Sequence, residues 1–367
     1  MKILLVSSSS GSQGGGELFL WYLGKGLQGL GCDVVLWASA HRRMDALCER
    51  FTSVGDVVRE AYVNTYDQPL RSLAGALASS SQIKRLAKSL ALAGADVVHL
   101  NKQNLEDGLD LVRATELLDC PVVGTIHLTQ TESELGAYFG WFRDRVSARI
   151  LSKFRGPLVT VSEARRRALA KFLQGARTLA IPNGVSLPDR EVEKETGRFC
   201  VVAVGRLMRQ KRPERFVQAA VEIRRVRPEA FFIWVGGGRG EADFSRLAAK
   251  MGLGQVLKVT GWVEEVGPWL EKADLVLHPA LFEGLPLAVL EAVAYGLPVV
   301  VSQEVWEELP RDLQDVTLKW PRSGFADLLM EEERLLKVGR RGREVVACSY
   351  SEGAMAGRYL ELYRSLR

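Results

Sequence analysis

The sequence predicts an α/β protein made of two doubly wound, parallel-sheet domains. Three observations carry that expectation. Short apolar runs that read as buried strands alternate with longer stretches of helical periodicity along the chain. The alternation breaks once, around residues 181–198, where a turn-rich stretch passes into a charged one. The 367 residues suffice for two ordinary domains, each large enough to bury a core of its own.

The elements follow in order. KILLV at 2–6 is a short apolar run ending in small polar residues and glycines, the pattern of a buried parallel strand entering a loop. A helix is expected from Glu17 to Leu30, stopped by Gly31. DVVLW at 33–37, DVVHL at 96–100, PVVGTI at 121–126 and LVTV at 158–161 repeat the strand theme. IPNGVSLPD and EVEKETGR form the interdomain linker. A second series then begins with Phe199–Val204, Phe231–Val235, Leu257–Thr260, Leu275–His278 and Pro298–Ser302. The domains are therefore expected at 1–186 and 187–350. The tail at 351–367 is expected to be an amphipathic helix, with Tyr359, Leu362, Tyr363 and Leu366 on one face, packing back on the N-terminal domain. In sheets of this kind ligands bind at the carboxyl ends of the strands.

Composition narrows the function. Forty-nine basic residues against 44 acidic give +5, too mild for a nucleic-acid binder but compatible with an anionic substrate or an acidic membrane surface. The five cysteines are scattered, without a CxxC pair or Cys/His cluster, which argues against a zinc site and for a reducing cytoplasm. The apolar run at the N-terminus is too short for a secretory signal, and no stretch of about 20 apolar residues occurs.

The decisive segment is HPALFEGLPLAVLEAVAYGLPVVV at 278–301. A strand ends near His278, and a loop carries Glu283 and Gly284. Pro286 suits a first helical turn, because no amide donor is needed there. Gly296 suits the left-handed position that ends a helix, and Pro298 prevents its continuation. The helix N-terminus presents the amides of Leu285, Leu287 and Ala288, a natural site for a diphosphate. Glu291, one turn inside, can accept hydrogen bonds from a ribose diol, and Glu283 can bind a second polyol such as a sugar ring. At the end of Phe199–Val204, Arg206 and Lys211 can clamp a diphosphate leaving group, Arg through paired hydrogen bonds and Lys as a point charge.

Two glutamates separated by seven residues within EGLPLAVLEA, followed by GLPVV, resemble the E-x7-E signature of family-four retaining glycosyltransferases. The resemblance extends through GGGE at 14–17, VSEA at 161–164, IPNGV at 181–185, VGRL at 204–207, VGGG at 235–238, GW at 261–262 and the terminal YLELY. It implies a GT-B fold, two Rossmann-like domains facing across a cleft. It also implies transfer of a hexose-type sugar from a nucleoside diphosphate sugar, UDP-linked by preference, to a hydroxyl of a glycan, lipid or small molecule. By the same resemblance Glu291 binds the donor ribose, Glu283 the transferred sugar, and Arg206 and Lys211 the departing diphosphate. Gly15 and Gly16 approach the donor phosphate. Trp262 and Val263 lie where the base binds, and Gly237 lets the nucleotide come close. The chain lacks a DxD metal motif, so metal-independent transfer without a cofactor is expected.

His127 ends PVVGTIH and is expected to face the cleft. The family usually has a His-Asp pair there, whereas this chain has His127-Leu128. His99, which also ends a strand, and the following Asn101 and Lys102 are weaker candidates for the acceptor side. Ser162 is a candidate helix N-cap that the resemblance also places near the acceptor. The glycine-rich loop at 11–16 lacks GxGxxG spacing and a matching acidic residue after the second strand, which disfavours NAD. Residues 141–155 mix aromatic and aliphatic side chains with five Arg/Lys, so either a packed amphipathic helix or a peripheral contact with the inner face of a membrane fits. Two other functions remain open: a nucleotide-sugar-binding protein without activity, and a sugar-nucleotide epimerase of the same fold. A phosphorylase is disfavoured by chain length and by the lack of a pyridoxal lysine signature.

Overall fold

The computed structural model describes all residues except Ser10, Ser12, Gln13, 63–70 and 189–196, and only the backbone of Arg71 and Ser72. Most of the expected charged linker stretch, 189–196, thus lies outside the described residues. The chain divides into two compact units, Met1–Gly184 with Glu352–Arg367, and Val185–Ser351.

The first unit is a seven-stranded parallel sheet of β1 (Lys2–Ser7), β2 (Asp33–Ser39), β3 (Asp56–Glu60), β4 (Val97–Lys102), β5 (Val122–Ile126), β6 (Leu158–Thr160) and β7 (Thr178–Ala180). Their spatial order is β3-β2-β1-β4-β5-β6-β7. The inner strands β1 and β4 are buried almost throughout, which is why they read as continuous apolar runs. The edge strand β3 alternates between exposed and half-buried positions and escapes a search for such runs. β7, half-buried throughout, escapes it too.

Helix Gly15–Gly29 follows β1, and Gly31 turns the chain with φ +78°. The terminal helix, Glu352–Arg364, lies against it. A Cβ on Gly26 would stand 2.4 Å from the Glu352 carbonyl oxygen, so the glycine permits the close approach of the two helices. Tyr359 and Tyr363 of the terminal helix are fully buried, and Leu362 is buried beside them.

The second unit repeats the plan with six parallel strands, β8 (Cys200–Val204), β9 (Phe231–Val235), β10 (Leu257–Val259), β11 (Leu275–His278), β12 (Val299–Val301) and β13 (Leu318–Lys319). Their order is β10-β9-β8-β11-β12-β13. In each sheet the order reverses beside the unit's first strand, between β1 and β4 and between β8 and β11. Those reversals open the crevices in which open α/β sheets bind ligands.

Candidate functional site

The mouth of the second sheet gathers most of the residues that sequence reasoning selected. β8 and β11 are neighbours, so the loops that leave their carboxyl ends meet. After β8 the chain passes Gly205 and exposed Arg206, then makes a short turn, Arg209–Lys211. After β11 it passes His278 and the loop bearing Glu283. The two loops are tied directly: the Leu281 amide donates to the Gln210 carbonyl at 2.7 Å, and Gln210 Nε2 donates to the Phe282 carbonyl at 2.9 Å. Ser302 Oγ holds the loop from β12, donating to the Ala280 carbonyl at 2.5 Å.

This frame brings the Lys211 ammonium onto Glu283 Oε1 in a mostly buried ion pair. His278 Nε2 lies 3.6 Å from the same oxygen, beyond ordinary hydrogen-bonding distance. Burial pushes the Glu283 carboxyl up, but the Lys211 charge outweighs it and holds it down at about 2. His278 is pushed down by burial and is a neutral ring at pH 7. Glu283 is therefore ionised at any physiological pH and already neutralised by Lys211. Arg206, exposed, makes no ion pair among the described residues, and so carries the site's uncommitted positive charge.

The helix that follows runs Leu287–Ala294. Pro286 is not inside its first turn, as its helix-starting preference suggests, but is the N-cap in extended conformation, with ψ 119°. Its carbonyl accepts the first intrahelical bonds, from Val289 and Leu290, and the amides of Leu287 and Ala288 precede them. Glu291 is buried one turn in. Gly284 and Leu285 are buried in the preceding loop. Gly296, with φ +72°, ends the segment as expected.

Close backbone packing builds the third wall. The Gly205 carbonyl accepts from Trp234 Nε1 at 2.8 Å, and a Cβ on Gly236 would lie 2.3 Å from that carbonyl oxygen. Leu207 N donates to the Gly237 carbonyl at 2.9 Å, and Gly236 bridges to Gly261. Gly237 thus sits between the Arg206 loop and the 261–263 loop. Trp262 is 51% exposed, and Val263 beside it is half-buried.

The corresponding mouth of the first sheet is packed. Glu17 accepts from the Gly14 amide at 2.8 Å and so complements the start of its own helix. Gly15 is exposed. Gly16 abuts Gln103, whose Oε1 would stand 1.9 Å from a Cβ there. Asn101 is fully buried. Its Nδ2 donates to the Gly16 carbonyl at 2.8 Å, and its Oδ1 lies 2.7 Å from His127 Nε2. His127 stands edge-on to Phe19 and burial pushes it down to about 4. It is held as a neutral ring in the strand-end network.

His99 is corrected outright. It lines no open surface: both ring nitrogens are engaged, Nδ1 with Tyr363 OH at 2.5 Å and Nε2 with Thr125 Oγ1 at 2.8 Å, beneath the terminal helix. Burial pushes it to about 3. Asn101, sealed in its own hydrogen bonds, is likewise a support for the glycine loop. Ser162 caps the helix Glu163–Phe172, accepting from the Arg165 amide at 3.3 Å, and is buried.

Both halves of the chain match known families. The family model described as Glycosyltransferase Family 4 matches residues 13–188, and that described as Glycosyl transferases group 1 matches residues 198–328. The chain belongs to the group 1, family-four glycosyltransferases. A curated relative in this family, the UDP-Gal:alpha-D-GlcNAc-diphosphoundecaprenol alpha-1,3-galactosyltransferase of Escherichia coli, is 34% identical over 146 residues, 36% of this chain and 38% of that one. The lipopolysaccharide core biosynthesis glycosyltransferase LpsE of Rhizobium meliloti is 22% identical over 254 residues, 67% of this chain and 64% of the relative. The chain thus spans less than two thirds of the length of both. Among solved structures, Anabaena HepE in complex with UDP and glucose superposes over all of both chains with a TM-score of 0.76 at 19% identity, which supports the GT-B fold.

Two groups, His278 and Arg143, escaped sequence reasoning, and a third, Lys102, entered it only as a weak candidate. His278 was legible only as a strand end, the same signal that singled out His127 and His99. Lys102, fully buried at the end of β4, is pushed down to about 8 by burial, with Asp107, Asp110 and Glu106 drawing it back up. Arg143 is locked to Glu106 by two bonds of 2.8 and 2.6 Å and to Glu132 at 2.9 Å. No local spacing announces that cluster.

Proposed function

We propose that this protein is a retaining glycosyltransferase that moves a hexose-type sugar from a nucleoside diphosphate sugar, UDP-linked by preference, to a hydroxyl of a glycan, lipid or small-molecule acceptor. The observation that carries the reading is the Lys211–Glu283 pair set beside unpaired Arg206 and the start of helix Leu287–Ala294. Because Glu283 already neutralises Lys211, an incoming diphosphate draws on Arg206, on the share of Lys211 it can take, and on the helix amides. Charge that develops on the diphosphate as the sugar bond breaks is then met by groups already in place. That supply of positive charge supports transfer without a metal or other cofactor.

In this reading Glu283 accepts from the hydroxyls of the transferred sugar, and Glu291 from the ribose. Gly284, Leu285, Leu287 and Ala288 supply backbone contacts to the diphosphate and sugar, Gly237 and Val263 line the nucleotide, and Trp262 stacks on the base. The galactosyl transfer to GlcNAc-diphosphoundecaprenol named for the Escherichia coli relative favours a lipid-linked glycan among the acceptors.

The test is to supply UDP-linked hexoses with an acceptor panel in the presence of a chelator, and to follow UDP release and product anomer by NMR. Acceptor-dependent release with the donor's anomeric configuration retained is expected. An inverted product contradicts retention. Donor conversion without acceptor points to an epimerase, and binding without turnover to a non-catalytic protein.

A further inference from the structure

The first unit carries an exposed aromatic cluster that no part of the nucleotide site uses. Leu135, Tyr138, Phe139, Trp141 and Phe142 are exposed by 47, 88, 65, 69 and 41%. Scattered single apolar residues are ordinary on a surface, but five within eight positions are not. The cluster is held rigidly outward. Arg143, from the first turn of helix Gly140–Leu151, is buried against Glu106 and Glu132. Asp144 accepts from the Glu132 amide at 2.8 Å and from the Ser133 amide at 3.1 Å, closing the loop. Phe139 caps the helix with φ +53°, a conformation that a bulky side chain adopts only where its surroundings impose it.

The same helix continues the surface with charge. Its buried positions are Gly140, Arg143, Ser147 and Leu151. On the opposite side Trp141, Arg145 and Arg149 recur every fourth residue, and all are exposed, as is Lys153 just past the helix end. Arg155 is exposed just beyond. The nearby acids are engaged within the loop: Glu106 and Glu132 with Arg143, Asp144 with Ser133, and Glu134 with the Thr131 amide at 2.9 Å. An aromatic end followed by a basic ridge results.

We propose that residues 135–155 are a docking surface for an anionic phospholipid bilayer, with the aromatic end entering the headgroup boundary and the basic ridge lying along the lipid phosphates. Trp and Tyr favour that boundary because each joins an apolar ring to a polar tip. The basic ridge selects the partner: a second copy of this face would meet it with like charge, whereas acidic lipid attracts it.

Co-sedimentation of the full chain with vesicles of phosphatidylcholine alone, or mixed two to one with phosphatidylglycerol, tests this. Binding to the mixed vesicles is expected, falling as salt rises. Tyr138→Ser with Trp141→Ser should abolish it. Arg145→Gln and Arg149→Gln should each weaken it about fivefold. Because these side chains are exposed, the melting temperature should not move. Arg340→Glu with Arg341→Glu, exposed basic residues of the other unit, should leave binding nearly unchanged. Failure to bind phosphatidylglycerol vesicles overturns the proposal, as does an aromatic variant that binds like the wild type. Equal loss on changing Arg340 and Arg341 reduces it to general charge attraction and also overturns it. A wild-type dimer that becomes monomeric in the Tyr138/Trp141 variant, without vesicle binding, assigns the cluster to self-association instead.

Discussion

Replacing Glu283 by glutamine removes one charge from a site built around an ion pair and leaves the mostly buried Lys211 ammonium without its counterion. The carboxyl is held at about 2 against an ordinary 4.5, burial working against the shift and Lys211 overcoming it. At about 1.4 kcal/mol for each pH unit, that corresponds to a contribution on the order of 3 kcal/mol. Breaking a buried pair from one side costs about as much. Because the folded value is depressed, the contribution is fully present above pH 4.5 and is lost as pH falls toward 2. Glu283→Gln should therefore lower the melting temperature by roughly 6–12 °C at pH 7, and the difference should hold down to pH 5 and narrow only below it. Calorimetric melts of both proteins at pH 7, 5, 4 and 3 measure this. A variant as stable as the wild type at pH 7, or a difference that already shrinks between pH 7 and 5, would refute the pairing.

Other consequences follow from the first unit and from the glycine wall. His99 and His127 are pushed down to about 3 and 4, so between pH 6.5 and 4 only the unfolded chain takes up their protons. Stability should fall as pH drops through that range, by up to about 2.7 kcal/mol per pH unit for the two together, and denaturation midpoints for His99→Gln and His127→Gln should show a flatter slope. Ser162→Ala should cost about 1 kcal/mol as a lost helix cap and leave kcat/KM unchanged. A large loss of kcat/KM at unchanged stability would return Ser162 to the acceptor side. Gly236→Ala places a Cβ against the Gly205 carbonyl at a backbone φ of +126°. It should cost about 1–3 kcal/mol and weaken nucleotide binding through the displaced Arg206 loop, measurable by calorimetric titration with UDP.

The sequence announces elements whose punctuation is local and hides contacts that are long-range. The strand–loop–helix–strand unit at 278–301 was legible because Pro286 and Gly296 mark its helix, and the structure moves Pro286 by only one position, to the cap. Strands buried on both faces were legible as apolar runs. β3, β7 and β13 were not, since an edge or short strand needs no such run. Arg206 and Lys211 were legible as cations at a strand mouth, but nothing local tells that Lys211 is paired with Glu283, 72 positions away. His99 shows the same limit. A histidine ending a strand looks like a site residue, and only the return of the terminal helix, 264 positions later, puts Tyr363 on its ring.

The most direct test of the nucleotide site is thermal stabilisation by UDP, GDP, ADP and NAD in a metal-chelating buffer, with Glu291→Ala beside the wild type. A ligand at 100 times its Kd adds about 2.7 kcal/mol to the folded state. UDP is expected to raise the melting temperature of the wild type clearly and that of Glu291→Ala little or not at all. A rise with NAD alone, with none of the four, or with UDP only after a divalent metal is restored would contradict the metal-independent nucleotide-sugar site.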